Sequence, residues 1–180
     1  MTITADHIRT TLAAYLDQYP ENEREHEVIL GLLDDGDDLT SRKTSPGHVT
    51  AGAILVRPDG RILHILHNVT GKWLLPGGHV EPSDNTLLQT AGRELAEETG
   101  IPPYVVTPHG ETPLHVDVHS IDANPAKDEP AHQHFDFRFL FRTTADIGDL
   151  QTEEISDATW RELDTIADPR LRRRISDALR

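Results

Sequence analysis

The chain has 180 residues, 36% of them hydrophobic, which is enough for one domain with a proper core. It contains no cysteine, which excludes disulfides and thiol catalysis and fits a cytoplasmic protein. The net charge of −14 repels a phosphate backbone, and no apolar run approaches the roughly 18 residues that span a bilayer, so we expect neither a nucleic-acid nor a membrane partner.

Residues 1–46 are predicted to form a helical extension. Apolar residues recur at helical spacing within 6–18 and 23–33, and an acidic turn follows the second helix. The apolar stripes of these helices suit packing on the rest of the protein. The alternatives are a homodimer face or a cover over a substrate pocket.

Residues 47–180 are predicted to form the main domain. Runs of apolar and β-branched residues between turn signals predict strands at 49–57, 61–67, 72–75, 104–107, 114–121, 134–143 and 158–161. Helical spacing predicts helices at 84–99 and 168–179. A loop is expected at 122–130. Four phenylalanines alternate along one strand and are predicted to be core, namely Phe135, Phe137, Phe139 and Phe141.

The predicted helix at 84–99 carries a dense set of charges. Residues 93–101 read Arg-Glu-Leu-Ala-Glu-Glu-Thr-Gly-Ile. Glu94 precedes Glu97 by three positions and Glu98 by four, so the three carboxylates can share one helix face, where like charges repel. A hard divalent cation with oxygen ligands would remove that repulsion. The alternative is a solvated acidic face in an acidic chain.

This helix and the preceding Gly77-Gly78 pair resemble the Nudix box, and the chain resembles a Nudix hydrolase. The family pattern is Gly, five residues, Glu, seven residues, then Arg-Glu-apolar-any-Glu-Glu-any-Gly-apolar. Residues 93–101 match every fixed position. The front half departs, because Asp84 replaces the first Glu and eight residues separate it from Arg93. The resemblance implies an α+β Nudix fold, with a mixed β-sheet sandwiched between helices.

The resemblance also implies a cofactor and a catalytic set. The cofactor would be Mg²⁺ or Mn²⁺, which neutralises phosphate charge and activates water. The implied metal ligands are Glu94, Glu97, Glu98 and the backbone carbonyl of Gly78, with Gly77 as the alternative carbonyl. Glu94 would alternatively serve as the base, and Arg93 would orient a box carboxylate. An acid from a late loop is expected to join them, with Glu154 as the candidate and Glu153 as the alternative.

Polar residues near the box and on a later strand are predicted to contact the substrate. They are His79, Glu81, Asp84, His132, His134 and Arg138. Asp84 could equally cap the box helix. His132, His134 and Asp136 alternate and so share one strand face, as do Asp117 and His119 on a neighbouring segment. The paired faces are interpreted as a substrate patch, with a transition-metal site as the alternative. His48 is left without a role.

The predicted activity is hydrolysis of a phosphoanhydride bond by water attack on phosphorus. The partner would be a small phosphorylated substrate: a nucleoside di- or triphosphate, or a nucleoside-diphosphate-linked compound. The alternative is a Nudix-fold module that senses a nucleotide without cleaving it. Such modules usually lose box carboxylates, so the retention of Glu94, Glu97 and Glu98 favours catalysis.

Overall fold

The computed structural model describes residues 2–125 and 129–180. The helices in this part of the chain are α1 (Ala5–Gln18), α2 (Glu23–Asp35), α3 (Leu87–Thr99) and α4 (Pro169–Ala178). The strands are β1 (Gly47–Val56), β2 (Ile62–His67), β3 (Lys72–Leu74), β4 (Gly77–His79), β5 (Val106–Pro108), β6 (His115–Ile121), β7 (His132–Thr143) and β8 (Ile155–Arg161). No helix in the described residues combines the length and apolar character that crossing a membrane requires.

The strands form one mixed sheet centred on β1 and β7. These two strands run parallel in continuous register, from Gly47 opposite Gln133 to Val56 opposite Arg142. The other pairings of the named strands are antiparallel. On its other side β1 pairs with β4 and then β2, while β7 pairs with β6 and β5. The centre of the sheet therefore joins segments far apart in the sequence.

Helices cover both faces of this sheet. Alternate β1 residues point to opposite faces, and those on one face share a buried cluster with α3; the members are Val49, Ala51, Ala53, Leu55, Leu87, Ala91 and Leu95. On the other face, Ile54 and Val56 share a second cluster with Leu171 and Ile175 of α4. The four alternating phenylalanines of β7 are buried, as predicted. The predicted α+β architecture, a mixed sheet between helices, is confirmed.

The N-terminal helices belong to the main core. Ile8 and Leu12 of α1 and Ile29 of α2 are fully buried in the same cluster as β1 and α3. Arg174 of α4 is also buried and donates to the Tyr15 hydroxyl at 2.7 Å. Of the roles proposed for the extension, packing on the parent domain is therefore the one observed. The division into 1–46 and 47–180 stays a prediction.

Several predicted element bounds are wrong. Pro103–Val105 forms a 3₁₀ turn before β5, because consecutive prolines remove backbone donors that a strand would use. The box helix begins at Leu87, since the Thr86 side chain accepts from the Gln89 N–H and caps it. The last strand begins at Ile155, three residues before the predicted start at residue 158. Within the predicted loop 122–130, residues 126–128 lie outside the described residues.

Candidate active site

The box glycines lie on β4, directly against glutamates of α3. The Gly77 N–H donates to Glu98 Oε2 at 3.0 Å. A Cβ added to Gly78 would lie 2.6 Å from the Glu94 carboxyl carbon, so only glycine permits so close an approach here. Two of the three predicted carboxylates therefore meet the Gly-Gly segment.

Replacing Gly78 with alanine should reduce kcat about 10- to 100-fold while leaving the melting temperature almost unchanged. The new methyl group would overlap only the flexible end of Glu94, which can swing away from its working position. Gly77→Ala is the matched control, because its Cβ would lie 2.6 Å from Gly52 Cα and should destabilise the sheet itself. Steady-state kinetics and thermal unfolding separate the two effects. An unaltered kcat in folded Gly78→Ala would mean that turnover is insensitive to the position of Glu94.

Glu98 is buried and Glu94 largely so, with its side chain 12% exposed, and burial opposes the ionisation of both carboxylates. Glu98 is 2% exposed, and burial raises its pKa to about 8. Burial likewise raises the pKa of Glu94 to about 7, although the Arg93 charge opposes the shift. The neighbouring Glu94 raises the pKa of Glu98 further, and the charges of Glu97 and Glu154 raise the pKa of both groups. Neighbouring carboxylates whose ionisation is opposed by burial suit a divalent cation, because the cation would favour their ionised forms.

Arg93 holds the loop and the carboxylates together. Its Nε and Nη2 donate to the two Asp84 oxygens at 3.1 and 3.0 Å, and Nη2 also donates to the His79 carbonyl at 2.8 Å. Its Nη1 donates to Glu97 Oε2 at 2.8 Å and lies 3.1 Å from Glu94 Oε1. One guanidinium thus fixes three carboxylates and the β4 backbone. These contacts suit the orienting role predicted for Arg93.

Asp84 is a buried residue that stabilises the loop between β4 and α3, and it is not a substrate contact. It is 1% exposed, and it accepts from the Glu81 N–H at 2.9 Å and the Thr90 hydroxyl at 3.0 Å. Burial opposes its ionisation, but hydrogen bonds from Arg93 hold the pKa of Asp84 below its ordinary value. The predicted substrate contact at Asp84 is therefore wrong. The alternative of a helix cap is wrong too, because Thr86 takes that position.

The remaining predicted acids lie at the surface around this pair. The Glu97 side chain is 48% exposed and the Glu81 side chain 50% exposed, and Glu81 Oε1 is 4.0 Å from Arg93 Nη1. Glu154 lies in the exposed turn before β8. In residues 2–125 and 129–180, the box glutamates form no set of three whose oxygens all lie within 4.8 Å of one another. Mg²⁺ does not require one, because it keeps several waters and binds through one or two carboxylates.

The other face of β4 carries a cluster of histidines. Gly78 faces Glu94, so the side chain of the next residue, His79, points to the opposite side. Its ring centroid lies 5.1 Å from that of His48 on β1 and 5.1 Å from that of His134 on β7. His132 also belongs to this face, with its centroid 5.0 Å from that of His134. The sequence had left His48 unassigned, and its pairing opposite His134 is what brings it here.

Asp136 and Arg138 extend this polar face along β7. Arg138 Nε donates to Asp136 Oδ2 at 2.7 Å, and the Thr50 hydroxyl donates to Asp136 Oδ1 at 3.1 Å. His119 Nδ1 lies 2.9 Å from Asp117 Oδ2 on the neighbouring strand β6. The two polar strands pair in the sheet, with Asp117 opposite Asp136 and His119 opposite His134. Their contact with a substrate stays a prediction.

Comparison with known proteins identifies the class. The NUDIX domain family model matches residues 46–180, well over half of the chain. A "Probable DHNTP pyrophosphohydrolase" of Lactococcus lactis is 35% identical over 122 residues, covering 67% of this chain and 69% of that protein. The protein is therefore a hydrolase. It belongs to the Nudix family.

Other relatives match in sequence over a shorter span or in fold alone. "Phosphatase NudJ" of Escherichia coli is 46% identical, but over 56 residues that cover 30% of this chain and 35% of that protein. The Ap4A hydrolase of C. elegans matches with a TM-score of 0.53 at 23% identity, covering 73% of this chain and 96% of that chain. The NUDIX domain of Shewanella oneidensis NrtR, complexed with ADP ribose, matches with a TM-score of 0.53 at 22% identity. The match covers 73% of this chain and 88% of that chain. The last two likenesses show the shared fold.

Proposed function

We propose that the protein hydrolyses a phosphoanhydride bond in a nucleoside di- or triphosphate, or in a nucleoside-diphosphate-linked compound, with Mg²⁺ or Mn²⁺. The observation that carries the proposal is the contact of buried Glu98 and largely buried Glu94 with the box glycines, together with the raised pKa values of both carboxylates. Neighbouring carboxylates with strongly raised pKa values are typical of sites where a cation binds or a proton is transferred. We expect it to act in the cytoplasm.

The donor set suits a hard divalent ion. Glu94, Glu97, Glu98 and the carbonyl of Gly78 offer oxygen atoms, which Mg²⁺ and Mn²⁺ prefer. The bound ion would neutralise phosphate charge and lower the pKa of water. Arg93 keeps Glu97 and Glu94 at the mouth of the site through its contacts at 2.8 and 3.1 Å.

The chain's own residues would then move the proton. If Glu94 serves as the base and not as a metal ligand, its carboxylate accepts a proton from the attacking water. The water oxygen forms a bond to phosphorus, the bridging phosphorus–oxygen bond breaks, and the leaving phosphate carries away the electron pair. Glu154 lies close enough for its charge to raise the pKa of Glu94 and Glu98, which supports its role as the loop acid.

A nucleotide panel with chelator controls tests this proposal. Phosphate and pyrophosphate release would be measured with Mg²⁺ or Mn²⁺ from nucleoside triphosphates, oxidised triphosphates, DHNTP, ADP-ribose and nucleotide sugars. We expect turnover of at least one member that EDTA abolishes and excess Mg²⁺ restores. A Glu97→Gln protein purified in parallel should lack this activity, which excludes a contaminating phosphatase. Saturable binding without turnover would instead favour the sensor alternative.

A further inference from the structure

We propose that His48, His79 and His134, with His132 beside them, form a binding site for a transition-metal ion of the zinc class. The three rings come from β1, β4 and β7, three strands that are neighbours in the sheet. Each can offer one nitrogen such that these atoms all lie within 4.8 Å of one another. Nitrogens on a tetrahedral zinc ion lie about 3.3 Å apart, given bonds of about 2.0 to 2.1 Å. Small ring rotations would close the difference.

The buried nitrogens of this cluster lack partners. His48 is fully buried, and neither of its ring nitrogens has a hydrogen bond within the described residues. His79 Nε2 is likewise buried and unpaired in that part of the chain. Buried polar atoms in native proteins are nearly always satisfied, so an unpaired set that converges on one point indicates a ligand. Coordination would satisfy one nitrogen on each ring.

His132 is oriented as a further ligand would be. Its Nδ1 lies 2.9 Å from the Pro130 carbonyl oxygen, which can only accept, so Nδ1 carries the hydrogen and Nε2 the lone pair. A carbonyl that holds the second nitrogen in this way is the usual support of a metal-binding histidine. In the absence of an ion, His134 Nε2 donates a hydrogen bond to the lone pair of His132 Nε2 at 3.1 Å, a distance close to the spacing of two ligands on one ion.

The chemistry of the cluster separates it from the box site. Three imidazoles without a carboxylate among them favour zinc, copper or nickel over Mg²⁺, which prefers oxygen. The cluster also lies on the opposite face of β4 from Glu94, because Gly78 and His79 point in opposite directions. An ion here would link β4 to β1 and β7. It would thereby fix the position of β4, the strand whose other face presents Gly77 and Gly78 to the glutamates.

Metal titration of the wild-type protein tests the site directly. Protein made without a histidine tag would be stripped with chelator, desalted, and titrated with Zn²⁺ by calorimetry in millimolar Mg²⁺. We expect one Zn²⁺ per chain with a Kd at or below about 1 μM, and a rise in melting temperature. Binding of no Zn²⁺ would overturn the proposal.

Matched variants locate the ion. His79→Ala and His134→Ala should each weaken Zn²⁺ binding about 100-fold or more. His64→Ala is the control, because His64 is also buried but lies on β2 and bonds the Ile62 carbonyl. Glu98→Gln should bind Zn²⁺ as the wild type does. Undiminished affinity in both cluster variants, or affinity lost in Glu98→Gln, would overturn the assignment.

A measurement on the wild type covers the case of a variant that fails to fold. Co²⁺ would replace Zn²⁺, since its visible spectrum reports coordination geometry. We expect tetrahedral bands, together with strongly shifted NMR signals from the ring protons of the cluster histidines. Octahedral bands, or shifts confined to residues of α3, would place the ion at the box and overturn the proposal.

Discussion

Glu98→Gln is expected to make the metal-free protein more stable while it abolishes hydrolysis. The carboxylate is 2% exposed and its pKa is raised to about 8, so the fold holds it at a cost whenever it is ionised. Glutamine keeps an oxygen to accept from the Gly77 N–H but carries no charge. In EDTA at pH 8 the free energy of unfolding should rise on the order of 2 to 4 kcal/mol.

The gain should depend on pH in a defined direction. Between the ordinary carboxyl value of 4.5 and about 8, the folded protein keeps a proton on Glu98 that the unfolded chain releases. Wild-type stability therefore falls as pH rises through this window, whereas the variant has no such group to titrate. Urea unfolding in EDTA at pH 5 and pH 8 measures the difference, which should be small at pH 5. Glu97→Gln is the control, because the Glu97 side chain is 48% exposed.

Catalysis should respond in the opposite sense. The loss of a charged ligand is expected to lower kcat about 10³-fold, equivalent to about 4 kcal/mol of transition-state stabilisation. Mg²⁺ should raise the melting temperature of the wild type much more than that of Glu98→Gln, because a ligand stabilises only the protein that binds it. Wild-type turnover in the variant would contradict a metal-binding role for Glu98, and destabilisation at pH 8 would contradict the cost assigned to its ionised form.

Arg93→Met should both destabilise the protein and remove its activity. Asp84 would remain buried at 1% exposure without the two guanidinium hydrogen bonds that keep it ionised. Breaking a buried pair by removing one partner costs about 3 to 5 kcal/mol. At the same time Glu94 and Glu97 lose the contact that positions them, so kcat should fall at least about 100-fold.

A double-mutant cycle separates these two roles of Arg93. Asp84→Asn removes the buried charge, so Arg93→Met combined with Asp84→Asn should be less destabilised than the sum of the single changes. Activity should not recover with stability, because Glu94 and Glu97 still lack their donor. Arg93→Lys keeps the charge but loses the planar guanidinium that donates to several acceptors at once. Its kcat should therefore resemble that of Arg93→Met. Recovery of kcat in the double variant would reduce Arg93 to a purely structural residue.

The role of Asp84 is one that the sequence pattern does not determine. The family pattern places a glutamate there at a spacing one residue shorter, which left capping and substrate contact open. In the fold, Asp84 turns inward to Arg93, Thr90 and the Glu81 N–H. That choice depends on where the loop between β4 and α3 folds back, which side-chain spacing does not encode.

The sequence by itself determined most of the elements, without β4 and without all the exact bounds, and it identified the box helix. Apolar periodicity located the helices, the alternating phenylalanines identified the buried strand, and the spacing of Glu94, Glu97 and Glu98 put the acids on α3. These features depend on local geometry, the 3.6-residue turn of a helix and the two-residue repeat of a strand, which neighbouring residues are sufficient to define.

Only the tertiary structure decided which distant residues meet. Glu98 is buried because β4 lies across α3, and its raised pKa is a property of that contact. His48 joins His134 through the parallel register of β1 and β7, and it joins His79 through the antiparallel pairing of β1 with β4. A one-residue change of either register would turn these rings to the opposite face, and register is set by packing across the whole sheet.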